Sequence, residues 1–418
     1  MSQDRCAEIH ALENDLERDC HSPARDGVRR RLYPITIVCV TVVALGVRLA
    51  CYPYSGSDMV GSLQVWYTQL HANGLGVNPT GCDYNLPYLT ILYLLGQVTD
   101  YAMVAVKTFS VICDFGLAVS SARLICTMLG AKHPRRRLIS TVTYAVVLFL
   151  PEVVLNSGLW GQCDVLYTTF CVLAMTCLVK RNMVPAFLFM GVGLAFKLQA
   201  VFLLPIFILV CLSDRKCRLW YFLFVPGVML ATAIPAAMAG RSIWEAFTIY
   251  LTQQIGRKVL TSGCPTLYSF ILPMASYDAF ACIGILLLVG ILLLAAIMVM
   301  RAGRRLCAGE QLLLGVWCSF LCVYFLPNMH ERYIYLTDLL LTLLAIYTRR
   351  RGDMLCAIVS IAVSSISQIQ YLFNTATLPD WAWALVRLGC LLYLTVRVLY
   401  ALVPELLAHG NISAHPNV

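Results

Sequence analysis

Long apolar runs separated by short basic clusters dominate this sequence. Runs of about 18 or more apolar residues recur, and a helix of that length crosses a hydrocarbon core of about 30 Å. The runs are continuous and do not alternate with polar residues, which favours helices with internally satisfied backbone groups over the strands of a membrane barrel. The pattern therefore predicts an all-α, polytopic membrane protein.

The basic clusters also predict how the chain threads the membrane, because lysine and arginine accumulate in cytoplasmic segments. Placing every cluster on one side gives about twelve transmembrane helices. The clusters are RDGVRRRLYP, AKHPRRR, SDRKCR, RAGRR and RRRGD. The predicted spans cover about 34–51, 103–128, 138–155, 164–179, two within 183–212, 219–240, 278–300, 310–326, one from Tyr333 to RRRGD, and two more before residue 403.

The predicted domain organisation is a single transmembrane domain over 33–403, between cytoplasmic tails at 1–32 and 404–418. The charged start is too long for a cleaved signal peptide. A long first outer loop, 52–100, is polar and aromatic, and we expect interfacial helices at about 57–72 and 85–98. The run 183–212 starts and ends inside, so it is either two short spans that turn near Lys197 or a re-entrant hairpin.

Composition supports the same class of protein. Hydrophobic residues make up 60 % of the chain and charged residues 13 %, against roughly 25 % charged in soluble domains. The net charge of +9 comes from the inter-span clusters and predicts no nucleic-acid partner. Most of the 19 cysteines lie in apolar spans. Cys82, Cys163 and Cys264 fall in or near outer segments and could pair.

The first outer loop carries the first candidate chemistry. Asp58 is either a helix cap or a general base that takes the proton of an acceptor hydroxyl. Asp83, in GCDYNLPY, has the same alternatives, and the following Asn85 favours a turn or cap. With Tyr84, these residues are candidates for binding a sugar or an acceptor.

Two further motifs come from other outer segments. In WGQCD, Trp160 is an interfacial anchor or an aromatic plane for a ligand. Asp164 is either a first-turn acid aligned with the helix dipole or forms with Gln162 an amide–carboxylate pair suited to sugar hydroxyls. The glycine before them, Gly161, lets backbone approach a ligand. In FKLQ, Lys197 interrupts an apolar run, where a charge is costly. Lys197 either snorkels to a headgroup or binds a lipid-linked phosphate, with Gln199 beside it.

The motif MHERY lies at the outer end of the predicted ninth span. An arginine with an acid partner could snorkel there, or His330 and Arg332 could clamp a phosphate, since guanidinium matches phosphate oxygens bidentately. Glu331 and Tyr333 are candidates for sugar or acceptor contacts. The predicted topology brings all these motifs to one outer face. HExxH and nucleotide-binding fingerprints are absent from the sequence, so we predict no cofactor, and a divalent metal is left open.

An acid after span 1, WGQxD, FKxQ and HERY together resemble the GT-C superfamily of integral-membrane glycosyltransferases, over about 33–373. The sequence is similar to bacterial proteins related to GPI mannosyltransferase II. The resemblance implies a GT-C-like fold, a polyprenyl-phosphate sugar donor, and an acid of the first outer loop, here Asp58, as catalytic base. It implies transfer of a mannose-like hexose to a glycan, lipid or protein acceptor at the outer face of the plasma membrane, with inversion and with membrane lipid as a partner. The next loop acid is Asp83, so a close acid pair is lacking.

The alternative interpretation is a transporter or flippase of a lipid-linked or polar solute. Transporters place polar residues near the bilayer midplane and often contain broken helices. Because the spans read as largely free of charge apart from Lys197, the enzyme is favoured.

Overall fold

A computed structural model describes residues 23–256, 258–271, 276–375 and 378–403. Residues 1–22 of the predicted N-terminal tail and the whole predicted C-terminal tail lie outside it. The helices are α1 (Pro23–Ala50), α2 (Gln64–Asn73), α3 (Leu86–Gly96), α4 (Ala102–Leu129), α5 (Arg136–Phe149), α6 (Pro151–Val154), α7 (Asp164–Val179), α8 (Met183–Phe196), α9 (Leu204–Ser213), α10 (Phe224–Met238), α11 (Glu245–Gly256), α12 (Tyr277–Ala302), α13 (Ala308–Phe325), α14 (Tyr335–Thr348), α15 (Arg351–Phe373) and α16 (Asp380–Leu402). Two short parallel strands, β1 (Thr261–Ser262) and β2 (Met329–His330), pair with each other.

The all-α, polytopic prediction is confirmed. Within the described ranges, seven helices are long and apolar enough to cross a membrane, and a bent pair raises the number to eight. Four other predicted spans coincide with apolar helices of 10–17 residues, which is shorter than the roughly 20 residues of a full span. The helices are where the sequence pattern predicts them, and twelve as a number of spans stays a prediction.

Two of the predicted spans are interrupted by a break in the helix. The third predicted span bends by 53° between α5 and the segment Pro151–Trp160. Leu150 precedes a proline and is extended, as the ring of Pro151 requires of its neighbour. The second break lies at Lys197, which is extended between α8 and a short 3₁₀ turn, Leu198–Leu203. The helix is therefore interrupted at Lys197, and two crossings that turn there stay a prediction.

The loop 52–100, predicted to be the first outer loop, contains the two predicted helices. A π-helical turn, Met59–Leu63, leads into α2, and α3 starts at Asn85, whose side chain accepts a hydrogen bond from the backbone of Leu86. Asn85 thus supplies the capping chemistry considered for Asp83. The start of the loop is fixed by Lys107 of α4, whose ammonium donates to the backbone oxygens of Cys51, Tyr52 and Tyr54 at 2.6–3.2 Å.

The core lies among α4, α5, α7, α8, α13 and α14, while α1 is mostly exposed along its apolar length, as suits contact with lipid. The helices approach closely at small residues. A Cβ added at Gly191 of α8 would lie 2.9 Å from the side chain of Val228 in α10, so glycine permits this contact.

The expectation of spans largely free of charge is wrong. Arg48 of α1 donates to Asp114 of α4 at 2.6 Å, and both side chains are fully buried. In a second buried group, Asp338 of α14 accepts from Ser360 at 2.5 Å and also from Ser364, which in turn accepts from Arg387 of α16 at 3.2 Å. Single charges in an apolar window barely change its average hydropathy, and partners on other helices compensate them.

The cysteines considered for pairing are unpaired in the described part of the chain. Cys82, Cys163 and Cys264 are all free thiols, and Cys264 accepts a hydrogen bond from Arg387. A disulfide joins Cys211 and Cys217, six residues apart at the end of α9.

Candidate active site

One polar pocket collects residues from the first outer loop, WGQCD, FKLQ and MHERY. Its volume is about 200 Å³, smaller than the pockets of roughly 300–1,000 Å³ that hold drug-sized ligands. It therefore has about the size of a sugar ring. The lining residues are Asp58, Ser62, Leu63, Trp66, Asp83, Tyr84, Asn85, Gln162, Phe196, Lys197, Leu198, Gln199, Tyr250, Asn328, His330, Arg332, Tyr333 and Tyr371.

Asp58 is held at the pocket wall by three different segments. One carboxylate oxygen accepts from the Tyr371 hydroxyl at 3.0 Å, and the other accepts from Gln162 at 3.2 Å and from Arg332 at 3.3 Å. Among the described residues, its side chain makes no capping hydrogen bond to the turn that follows it. The capping role considered for Asp58 is therefore wrong. A carboxylate has about four acceptor positions, so one remains for a ligand hydroxyl.

Trp160 supports this network from behind. Its ring is fully buried and stacks on Tyr371, with 5.1 Å between ring centroids, and the Arg332 guanidinium lies 4.8 Å from its centre. Cation–π contact and stacking both fix the plane of a guanidinium. Trp160 is thus neither an interfacial anchor nor a surface that a ligand touches. It orients Arg332 and Tyr371.

Asp164 and Lys197 form a buried ion pair under the pocket. The Lys197 ammonium lies 2.5 Å from one Asp164 oxygen, and their side chains are 9 % and 0 % exposed. Asn156 donates to the other oxygen at 2.8 Å, and the Arg332 Nε lies 3.8 Å from it. Because α7 begins at Asp164 and α8 ends before Lys197, the pair fastens the start of one helix to the end of the next.

The MHERY motif forms a tight turn between α13 and α14, so that His330 and Arg332 line the pocket while Glu331 lies behind it. Burial raises the pKa of the Glu331 carboxyl to about 7. The Arg332 guanidinium, 3.4 Å from the carboxylate, opposes that rise, and the acids Asp58 and Asp164 add to it. Glu331 therefore changes its charge near neutral pH beside the cation of the pocket.

The other predicted site residues also lie at the pocket. Tyr84 donates to Gln162 at 2.7 Å, and its ring lies 5.4 Å from the Lys197 ammonium. Asp83, Asn85, Gln199 and Tyr333 also reach the pocket. Of the predicted residues, Trp160, Asp164 and Glu331 are the three that do not line this pocket in the described structure, and each contacts a residue that does.

Gly161 of WGQCD serves the turn and not a ligand. Its φ is +76°, and an added Cβ would come within 2.2 Å of the Met59 side chain and 3.3 Å of Lys107. Glycine is required because L-residues rarely adopt this conformation and because the protein's own side chains fill the space. The idea that this glycine admits a ligand is wrong.

Comparison with known families decides what kind of enzyme this pocket belongs to. The model of glycosyltransferase family 87 matches residues 84–327, which is more than half of the chain. The chain belongs to glycosyltransferase family 87. None of the curated proteins compared with it matches significantly.

Membership of this family makes the chain a transferase that uses a sugar donor and an acceptor, within a membrane fold of the GT-C type. The similarity to GPI mannosyltransferase II is not confirmed. The family match contains WGQCD, Lys197 and Gln199, and it ends directly before the turn that carries MHERY. The pocket of this glycosyltransferase thus joins matched residues to Asp58, Arg332 and Tyr371 outside the match.

Tyr371 is one of the pocket residues that were not predicted from the sequence. It lies near the end of a helix otherwise read as an ordinary span, 313 residues from Asp58. We expect Tyr371→Phe to lower the turnover of this family-87 enzyme about 10- to 100-fold, because a hydrogen bond to a charged group contributes about 1.5–3 kcal/mol. Initial rates of sugar transfer measure this.

The matched control is Tyr400→Phe, an exposed tyrosine of the last helix. Equal rates for Tyr371→Phe and the wild type would show that the Tyr371 hydroxyl does not orient Asp58 for catalysis.

Proposed function

We propose that this protein transfers a mannose-like hexose from a polyprenyl-phosphate sugar to a hydroxyl of a glycan, lipid or protein acceptor, at the outer face of the plasma membrane. The observation that carries the proposal is the carboxylate of Asp58, held by Arg332, Gln162 and Tyr371 at the wall of a polar pocket. A base and phosphate-binding cations within one pocket are what such a transfer requires.

The proposed step is a single displacement. The acceptor oxygen attacks the anomeric carbon, Asp58 takes the hydroxyl proton, and the bond from that carbon to the phosphate oxygen breaks with its electron pair on the phosphate. The departing polyprenyl phosphate therefore gains negative charge. Arg332, Lys197 and His330 would stabilise that charge, since groups aimed at developing charge lower the barrier most. Attack opposite to the leaving group inverts the anomeric centre.

The pocket also supports roles for the remaining residues. Gln162, Gln199, Asp83, Tyr84, Asn85 and Tyr333 would bind hydroxyls of the sugar or the acceptor. Trp160, Asp164 and Glu331 would act indirectly, through Arg332 and Lys197. The small volume suits a sugar ring while the prenyl chain lies outside in the lipid.

The transporter alternative has one observation in its favour, namely charged residues inside the spans such as Arg48 and Asp338. These charges are paired or hydrogen-bonded across helices. They explain how the bundle holds together. The glycosyltransferase family and the pocket at one end of the bundle favour the enzyme.

The experiment is sugar transfer by the purified protein in liposomes, with radiolabelled polyprenyl-phosphate mannose, polyprenyl-phosphate glucose and nucleotide sugars compared as donors. We expect transfer from a polyprenyl-phosphate hexose, with an inverted anomeric configuration in the product. Transfer from a nucleotide sugar while every lipid-linked donor stays inert would refute the proposed donor. Retention of configuration would refute the single displacement.

Glu331 should make donor binding pH-dependent. When Glu331 ionises near pH 7, its carboxylate competes with the donor phosphate for Arg332. We therefore expect the donor KM to rise about fourfold between pH 6.5 and 8, the part of a tenfold total change that one unit of pKa coupling produces in this interval, and to stay flat in Glu331→Gln.

Donor KM against pH in the two proteins measures this. His330→Gln is measured in parallel, because His330 lies 3.9 Å from Glu331 and is a second titratable group. An unchanged profile in Glu331→Gln would assign the dependence to a different residue.

A further inference from the structure

A second concavity lies on an exposed apolar side of the bundle, away from the pocket. It is a groove of about 880 Å³ between α5, α14 and α15. Its floor includes the small side chains Ala345, Ala357 and Ala362, and leucine, valine and isoleucine residues form its walls. Lipid chains are as apolar as these walls, so burial from water gives no preference here. Any selectivity must come from shape and from charge.

The charge is concentrated at one end of the groove. Arg135, directly before α5, and Arg349, directly after α14, both line it and are both exposed. The pocket lies at the opposite end of α14, since residues 328–333 precede that helix. The helix has 14 residues, which separates its two ends by about 21 Å.

The length of the groove matches one leaflet of a bilayer. Along α15 its lining runs from Met354 to Ile366, a rise of about 18 Å at 1.5 Å per residue. Half of a hydrocarbon core is about 15 Å. An acyl chain that fills the groove therefore places its headgroup at the two arginines.

We propose that this groove binds an anionic phospholipid of the leaflet opposite the pocket, with the phosphate on Arg135 and Arg349 and one acyl chain between α5 and α15. Guanidinium groups match phosphate oxygens, and the predicted topology puts both arginines in cytoplasmic clusters, where anionic headgroups lie. The proposed sugar donor does not fit this arrangement. With its phosphate in the pocket, it would bring the end of its chain, and no charge, to the arginines.

The test is native mass spectrometry of the full-length protein in a neutral detergent, titrated with phosphatidylglycerol or with phosphatidylcholine of the same chains. Each arginine near a headgroup contributes about 1 kcal/mol, or five- to sixfold. We expect phosphatidylglycerol to bind more tightly, and Arg135→Ala with Arg349→Ala to weaken it about 30-fold. Phosphatidylcholine binding should change little in that variant.

The matched control is Arg301→Ala with Arg305→Ala, two exposed arginines of another basic cluster that do not line the groove as described. This variant should bind as the wild type does. Ala362→Trp fills the exposed floor and should weaken both lipids.

Three results would overturn the proposal. Equal binding of the two lipids by the wild type would show that no anionic headgroup is recognised. Loss of the preference in the control variant alone would place the site elsewhere. A dimer mass that disappears in Ala362→Trp, without bound lipid, would show that a second copy of the chain occupies the groove.

Discussion

Replacing Asp58 by asparagine should lower sugar transfer by about 10²–10⁴-fold, which is the usual contribution of a general base. Asparagine keeps the size of the side chain and can still accept from Tyr371, so the fold should persist. What is lost is the group that accepts the hydroxyl proton. The measurement is the initial rate from the preferred polyprenyl-phosphate sugar, together with donor affinity.

The control for this prediction is Asp100→Asn, an exposed acid in the same predicted outer loop that pairs with His71 at 3.2 Å. It should transfer sugar at the wild-type rate. Wild-type activity in Asp58→Asn would exclude Asp58 as the base. A rate lowered only through weaker donor binding would turn Asp58 into a residue that positions Arg332.

The second large effect is expected at the ion pair under the pocket. Asp164→Asn leaves the buried ammonium of Lys197 without its counter-ion, which should destabilise the protein by about 3–5 kcal/mol. Lys197→Met removes the other charge and leaves the buried carboxylate of Asp164 without its ammonium partner. The double variant removes both charges and should recover a large part of that loss.

Reversible unfolding in mixed micelles of neutral detergent and sodium dodecyl sulfate measures all three proteins. Asp278→Asn is the control, because its pair with Lys258 is more than 60 % exposed on both sides and an exposed pair contributes at most about 1 kcal/mol. If Asp164 bound sugar directly and did not contribute to the free energy of unfolding, the Asp164→Asn protein would be as stable as the wild type and would lose only affinity for substrate.

The double variant also distinguishes two roles of Lys197, namely stabilising the fold and stabilising the departing phosphate. If Lys197 stabilises the departing phosphate, the double variant should be folded yet slow. Restored stability together with restored activity would make the pair purely structural.

Much of this architecture could be predicted from the amino-acid pattern, because hydropathy and basic clusters act locally. A run such as 277–302 is apolar whatever surrounds it, and the break at Lys197 coincides with a charge in an apolar stretch. Ten of the thirteen predicted site residues line the pocket as described. Their convergence followed from topology alone, since segments that leave the membrane on one side meet there.

The burial of Asp164 and Glu331 behind the pocket was not predictable in the same way. A motif such as WGQCD or MHERY shows that polar residues are close in sequence, but it does not show which of them face a ligand. That depends on the direction in which each turn leaves its helix. Gly161, with its positive φ, sets that direction for Gln162 and Asp164.

By itself, the sequence determined the class of protein, the positions of its helices and the group of motifs that form one polar site, because these follow from local hydropathy and from charge next to the membrane. Only the tertiary structure decided that Tyr371 joins Asp58, that Trp160 lies behind Arg332, and that Arg48 and Asp114 neutralise each other inside the bundle. The physical reason is that such contacts join residues tens to hundreds of positions apart. Packing of the helices sets their geometry, and no local pattern records it.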